Sequence, residues 1–280
     1  MSDTQTAAGP AEYRITARNS AATSANKIHG DSGAQAMGFR AALVPGNALY
    51  CYLEQAVRAS LGPDWTERGA AEVRFTAPAC DGDQLTATAR PSGDGAGSVD
   101  LALVRDENGQ VAVAGRAWLR GDEEQPPAVA AFPRVPLPDR PPPFSEAWAL
   151  DHNELGSLDP VLAPADIAAY LTGMGEQPDA FGADVPSAFL ARMYAVMMKA
   201  NVDRKDPSVH TSSRISHFRR VELGQPLSVR GHIDRLFGRR GNRYYVLDMA
   251  YLDESGQVVM TQRHTAIYRL RPRPPVPATA

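Results

Sequence analysis

Three segments of this chain occur twice, in the same order. Val44-Pro45-Gly46 and the stretch after it, NALYCYLEQAVRASL, correspond to Val185-Pro186-Ser187 followed by AFLARMYAVMMKAN. AEVRFTAPACDGDQLTATARP, from Ala71, corresponds to SSRISHFRRVELGQPLSVRGH, with Gly82 matching Gly224 and Leu85 matching Leu227. SVDLALVRDENGQVAVAGRAWL corresponds to YYVLDMAYLDESGQVVMTQRHTAIY, where Gly109-Gln110-Val111 matches Gly256-Gln257-Val258. The offsets are 141, 142 and 147 positions, a slow drift that loop insertions between two copies would produce. A period this long marks a duplicated domain and not a solenoid. It restricts the chain to folds in which one helix-and-strand unit can be used twice.

Within a copy, one helix precedes several strands. Leu49, Leu53, Ala56, Val57 and Leu61 recur at helical spacing, with Pro45 suited to a first turn and Gly62-Pro63 ending the run. The matching helix, about Pro186 to Asn201, is apolar on nearly every side and is expected to be buried all round. Strands are expected at Glu72–Ala77, Gln84–Arg90, Ser98–Arg105 and Gln110–Arg120, and Asp106-Glu107-Asn108-Gly109 and Asp253-Glu254-Ser255-Gly256 have hairpin chemistry. The reading is α+β: a buried helix gripped by a curved antiparallel sheet, in two copies at 1–120 and 146–270. Residues 121–145 carry eight prolines and read as an extended surface linker, and 271–280 as a mobile tail.

Composition excludes several classes. A net charge of −3 predicts no general attraction to nucleic acid or an anionic membrane. The two cysteines, Cys51 and Cys80, offer neither a disulfide framework nor zinc spacing, so no metal is expected. No signal peptide is legible at the N-terminus, and the longest apolar run, Ala188 to Met198, contains Arg192 and is too short to cross a bilayer. A cytoplasmic location is the default expectation.

The chemistry concentrates in NKIHGDSGAQAMGFRAALVPG, Asn26 to Gly46. One imidazole, His29, lies near a carboxylate, Asp31, and the segment ends where an apolar helix starts. Helix starts carry unpaired N–H groups and partial positive charge, which suits a carbonyl oxygen or oxyanion. Taken singly, His29 reads as a partly buried structural histidine, Asn26 and Ser24 as turn residues, Asp31 as a solvated charge and Gly46 as a close-packing position. Tyr50, Tyr52, Met193, Met197 and Met198 read as core, and His217 and His264 as structural. Arg239-Arg240-Gly241-Asn242 reads as a solvated hairpin tip, with contact to a coenzyme A phosphate as its sharper alternative.

Together, these features resemble the double hot-dog fold, and the opening segment looks like its MaoC-like, R-specific enoyl-thioester hydratase branch. That family carries Asp-x-Asn-Pro-x-His, a small-residue segment, Gly-Phe and a Gly at the start of the central helix. Asn26, His29, Asp31, Ala34, Gly38, Phe39 and Gly46 stand at matching positions, whereas Ser24 replaces the family's Asp and Lys27 its Pro. The resemblance implies proton transfer by His29, with Asp31 as replacement carboxylate and Asn26 positioning the loop. The Gly46 N–H would hold the thioester carbonyl, and Ser24 and Phe39 would contact substrate. The second copy, APADIAAYLTGMGEQPDAFGADVPS, lacks the His and is expected to shape the acyl pocket. The implied reaction is reversible hydration of an enoyl thioester of coenzyme A or a carrier protein. It needs no cofactor, because the thioester is the electron sink. Non-catalytic acyl-thioester binding or assembly and thioester hydrolysis are the rival readings, and a homodimer is a possible assembly.

Overall fold

The computed structural model describes residues 9–93 and 97–271. The first copy contributes β1 (Ala11–Thr16), α1 (Asp31–Ala36), α2 (Gly46–Leu61), α3 (Trp65–Arg68), β2 (Gly69–Phe75), β3 (Gln84–Pro91), β4 (Ser98–Arg105) and β5 (Val111–Leu119). The second contributes α4 (Glu146–Asp151), β6 (Glu154–Leu158), α5 (Pro164–Met174), α6 (Ser187–Ala191), α7 (Met193–Asn201), β7 (Val209–His217), β8 (Ser228–Arg239), β9 (Asn242–Leu252) and β10 (Val258–Arg269).

Ten strands form one antiparallel sheet in the order β1-β3-β4-β5-β2-β7-β10-β9-β8-β6. The order reads as one five-strand unit and its inverse, joined where β2 pairs with β7 from Ala70↔Ser216 to Arg74↔Ser212. Each unit begins with a strand, β1 or β6, placed ahead of the helix. The sequence reading missed both. They pair at the far edges of the sheet, where only one neighbour supplies hydrogen bonds and the hydrophobic pattern is correspondingly weak. The duplication extends to the backbone. Gly82 and Gly224 share left-handed φ values of 81° and 82°, a conformation other residues adopt only at a cost.

α2 packs on β1, β3, β4 and β5 and buries Leu49, Leu53, Ala56 and Val57. Its counterpart differs from expectation in two ways. It is divided at Arg192, where side chains from the sheet reach its carbonyls. The Tyr251 hydroxyl lies 2.9 Å from the Leu190 carbonyl and 2.7 Å from Gln262 Oε1, and Gln262 Nε2 donates to the Ala191 carbonyl at 3.0 Å. Those carbonyls would otherwise accept from Tyr194 and Ala195, and the Ala195 N–H turns back to Arg192 O. Nor is the helix buried all round. Ala195, Val196 and Lys199 are exposed, because an apolar cavity wall carries the same hydropathy pattern as a core.

The linker crosses the surface as expected, but it is fastened. Phe132 is buried against Ala250, Leu252 and Val258, and Phe144 N donates to Asp203 O at 2.9 Å. In the expected mobile tail, residues 272–280 lie outside the described residues, while the Arg271 N–H donates to Asn242 at 2.8 Å. Among the described residues no helix is long and apolar enough to cross a membrane.

One buried charge joins the central helices. Glu54 of α2 is fully inaccessible, and its carboxylate accepts from Ser187 N at 2.9 Å, Ala188 N at 3.0 Å, the Ser187 hydroxyl and Trp65 Nε1 at 3.1 Å. A buried carboxylate survives only when such donors replace water. Replacing Glu54 with Ala strands several buried donors at about 1–3 kcal/mol each. Urea unfolding of Glu54→Ala is expected to show a loss of roughly 3 kcal/mol or more, with Glu54→Gln intermediate.

Candidate active site

The His29 loop is short and bolted at several points. Residues 27–29 form a single 3-10 turn after Asn26, and Ile28 is buried against Leu43 and Cys80. The Asn26 side chain makes a two-pronged amide pair with the second copy, donating to Ser208 O at 2.8 Å and accepting from Ser208 N at 3.2 Å. Asn19 Nδ2 donates to His29 O at 2.8 Å, and Leu43 N to Ile28 O at 2.9 Å.

His29 Nδ1 lies 2.7 Å from the Leu43 carbonyl. A carbonyl only accepts, so Nδ1 carries the proton and Nε2 keeps its lone pair. Asn26 Nδ2 is 3.4 Å from Nε2. Burial holds the imidazole pKa below its ordinary value, opposed in part by the Leu43 hydrogen bond. The neutral ring is therefore favoured at pH 7, with an Nε2 lone pair that faces only the long contact from Asn26 Nδ2.

That ring stands where two cavities adjoin. The first, about 510 Å³, is lined by Ile28, Phe39, Leu43, Val44, Leu49 and Phe75 among others, and Gly46 belongs to its wall. The second, about 1220 Å³, is lined by Ser24 and Asn26, by the cations Arg140, Arg192, Lys199 and Arg204, and by the carboxylates Asp166, Asp203 and Asp206. His29, Tyr194 and Ser208 line both. Arg240 and Asn242, from the β8–β9 hairpin tip, join Arg271 in the wall of the first cavity, so that tip is not merely solvated.

Gly46 opens α2 behind Pro45, and no side chain caps this helix start. A Cβ there would collide with Nδ1 of His210 and lie 2.9 Å from its Cγ, so only glycine lets the imidazole and the helix start touch. Phe39 packs against the Ile28–Leu43–Cys80 cluster and lines the smaller cavity. Ser24 is exposed, with its hydroxyl 3.5 Å from Asn26 O. Asp31 is held elsewhere. It sits in the first turn of α1, exposed, with its carboxylate accepting from Ala42 N at 2.8 Å, and it lines neither cavity. The structure thus brings His29, Asn26, Gly46 and Phe39 together and leaves Asp31 as a loop latch.

Sequence reasoning passed over His210 and Tyr194, which the second copy sends into this region. His210 lies against Phe75 at 4.1 Å between ring centroids and against His264 at 4.1 Å, and its Nε2 is 2.8 Å from Ser213 Oγ. Tyr194 stacks on His264 at 3.7 Å and 16°. His210 keeps some accessible surface, on the cavity side, yet protein crowds its ring and pushes its pKa down to about 3. His217, beside Trp65 and near Arg120, is also lowered to about 3, and His264 is held well below 6.5 by burial and by His210. The only available signal was the alternation of β7, which is weak where a strand faces a cavity. Among the described residues, His232, Asp234 and Asp248 form one cluster able to reach a cation. Arg263 already bridges both carboxylates, so the cluster reads as an ion-pair network.

Two outcomes follow from this packing. Gly46→Ala should cost about 1–3 kcal/mol from overpacking against His210, read as a lowered melting temperature. The second concerns acid. His210, His217 and His264 are neutral in the fold, whereas the unfolded chain takes up protons below about pH 6.5, so stability is full above that pH. It is lost as pH falls toward the depressed native values, by up to about 1.4 kcal/mol per pH unit for each histidine. Urea unfolding between pH 7 and 5 should show this slope, and His217→Leu should make it shallower.

No family model and no curated protein matches this chain. Solved structures do. A protein of Chloroflexus aurantiacus described as a candidate MaoC domain dehydratase aligns with 13% identity over 97% of this chain and 100% of its own, at a TM-score of 0.58. A conserved hypothetical protein of Mycobacterium tuberculosis, described as having a double hot-dog fold, gives 12% identity over 94% and 96%, at 0.59. A candidate thioesterase of Novosphingobium aromaticivorans gives 15% over 93% and 96%, at 0.52. At such identities the likeness speaks for architecture. With its paired sheets, buried central helices and near-complete overlap, this chain has the double hot-dog fold.

Proposed function

We propose that the chain acts on acyl thioesters in the manner of the MaoC-like hydratases, interconverting an enoyl thioester and its 3-hydroxyacyl form at His29. One observation carries this reading: an imidazole fixed through Nδ1, with its unprotonated Nε2 met only by a long 3.4 Å contact from Asn26 Nδ2, stands beside an uncapped helix start where two cavities adjoin. The smaller cavity suits an acyl chain, and the larger one, with Arg140, Arg192, Lys199 and Arg204, suits the phosphates of coenzyme A or phosphopantetheine. Among the described residues, Arg192 Nε and Arg204 Nη1 are buried without a hydrogen-bond partner, their guanidinium groups lying over the Phe189 and Tyr245 rings at 4.0 and 5.8 Å.

A single imidazole can serve both proton transfers. In dehydration, His29 Nε2 takes the proton from C2 while negative charge moves onto the thioester oxygen, held by the first N–H groups of α2. The C3–O bond then breaks, the double bond forms, and the imidazolium returns the proton to the departing hydroxyl as water. Hydration is the reverse. The start of α2 supplies charge stabilisation where the enolate develops.

The engagement of Asp31 with Ala42 favours a second reading, acyl-thioester binding without chemistry, since no carboxylate then assists His29.

An enoyl-CoA panel distinguishes these readings. Hydration removes the conjugated-enone absorbance, a released thiol means hydrolysis, and no change in either signal favours binding alone. His29→Ala should lower kcat/KM by about 10²- to 10⁴-fold. Because neutral His29 is the active form and its pKa is depressed, kcat/KM should stay level as pH falls through 6.5 and decline only at lower pH.

A further inference from the structure

The first copy has no carboxylate beside His29 that would share the substrate, and the second copy sends a different polar side chain to the wall of the same two cavities. Tyr194 follows the break in the second central helix, and it lines both cavities, as His29 does. Its ring is clamped by the stack on His264 and by His210 at 5.6 Å, so the side chain is fixed by its face and not by its hydroxyl. Among the described residues the hydroxyl forms no hydrogen bond, and it is not among the buried polar atoms. It therefore keeps some accessible surface while protein crowds it closely. That crowding raises the phenol pKa above its ordinary value, which keeps the proton on the oxygen.

Tyr194 stands just after an irregularity in the helix. Tyr251 and Gln262 reach the carbonyls of Leu190 and Ala191 at the break between α6 and α7. The departure comes immediately before the residue that reaches the junction. The matching position in α2, 141 residues earlier, is Leu53, which is fully buried in the core. The polar group at the junction therefore belongs to the second copy alone.

We infer that the Tyr194 hydroxyl is the second substrate-touching group of this site, donating a hydrogen bond to the 3-oxygen of a 3-hydroxyacyl thioester opposite His29 Nε2. It holds that oxygen in line for departure in dehydration and holds the attacking water in hydration. It gives up no proton, so the balance of the reaction remains the one written for His29. This assignment rests on the thioester reading of the site.

The test separates the two. In a His29→Ala background, where catalysis is silenced, binding of 3-hydroxybutyryl-CoA and butyryl-CoA is compared by calorimetry with and without Tyr194→Phe. The phenylalanine keeps the ring stack, so melting temperatures should agree. The 3-hydroxy ligand should bind about fivefold tighter, and Tyr194→Phe should erase that margin while leaving butyryl-CoA unaffected. With His29 intact and crotonyl-CoA as substrate, which carries no 3-oxygen, Tyr194→Phe should lower kcat about 10- to 100-fold with little change in KM. Wild-type turnover in Tyr194→Phe, a margin that survives it, or no margin at all overturns the assignment, and the first of these leaves the His29 chemistry standing. A Tyr194-dependent margin in a protein that never hydrates crotonyl-CoA upholds the contact and removes only the hydratase reading.

Discussion

The carboxylate of Glu54 is the interaction that makes this duplicated chain asymmetric. A double hot-dog has two central helices, and each helix start is a potential oxyanion site. Here the start of α6 is already occupied. Glu54 reaches across from α2 and accepts from Ser187 N, Ala188 N and the Ser187 hydroxyl, with Trp65 on its other side. The start of α2, by contrast, has no side-chain cap and faces a cavity. One half is thereby closed by a buried charge and the other left open. The same contact fixes the relation between the helices, so the shape of the open site depends on the plug of the closed one.

The division of labour between the copies follows from that asymmetry. The first copy supplies His29 and the helix start, and the second supplies walls: Ser208 gripping Asn26, His210 pressed on Gly46, and Tyr194 beside them. Loss of the motif histidine from the second copy is thus consistent with a role in enclosure. Its own imidazoles, His210, His217 and His264, are packed among aromatic rings and kept neutral by burial.

Much of the fold was legible because duplication doubles every weak signal. Matched turn glycines at 82 and 224, and hairpin glycines at 109 and 256, fixed the register of the two halves before any contact was known. The His29 loop was legible as a local pattern, since Asn26, His29 and Gly46 lie within one short segment. What failed was long-range or depended on a void. Asp31 looks like a partner of His29 by proximity in sequence, but a loop charge takes the nearest free donor, and that is Ala42 N. Tyr194 could not be told from core, because hydropathy does not distinguish a side chain that fills space from one that borders it. The division at Arg192 was invisible for a related reason: the side chains that meet the helix there, Tyr251 and Gln262, lie on strands some sixty to seventy residues downstream.

The amide pair between Asn26 and the Ser208 backbone carries a consequence of its own. It spans 182 positions of the chain and is made entirely from groups that must be in register together. The geometry of the loop bearing the imidazole therefore depends on the pairing of the two halves along β2 and β7. The candidate site belongs to neither copy alone, only to their union.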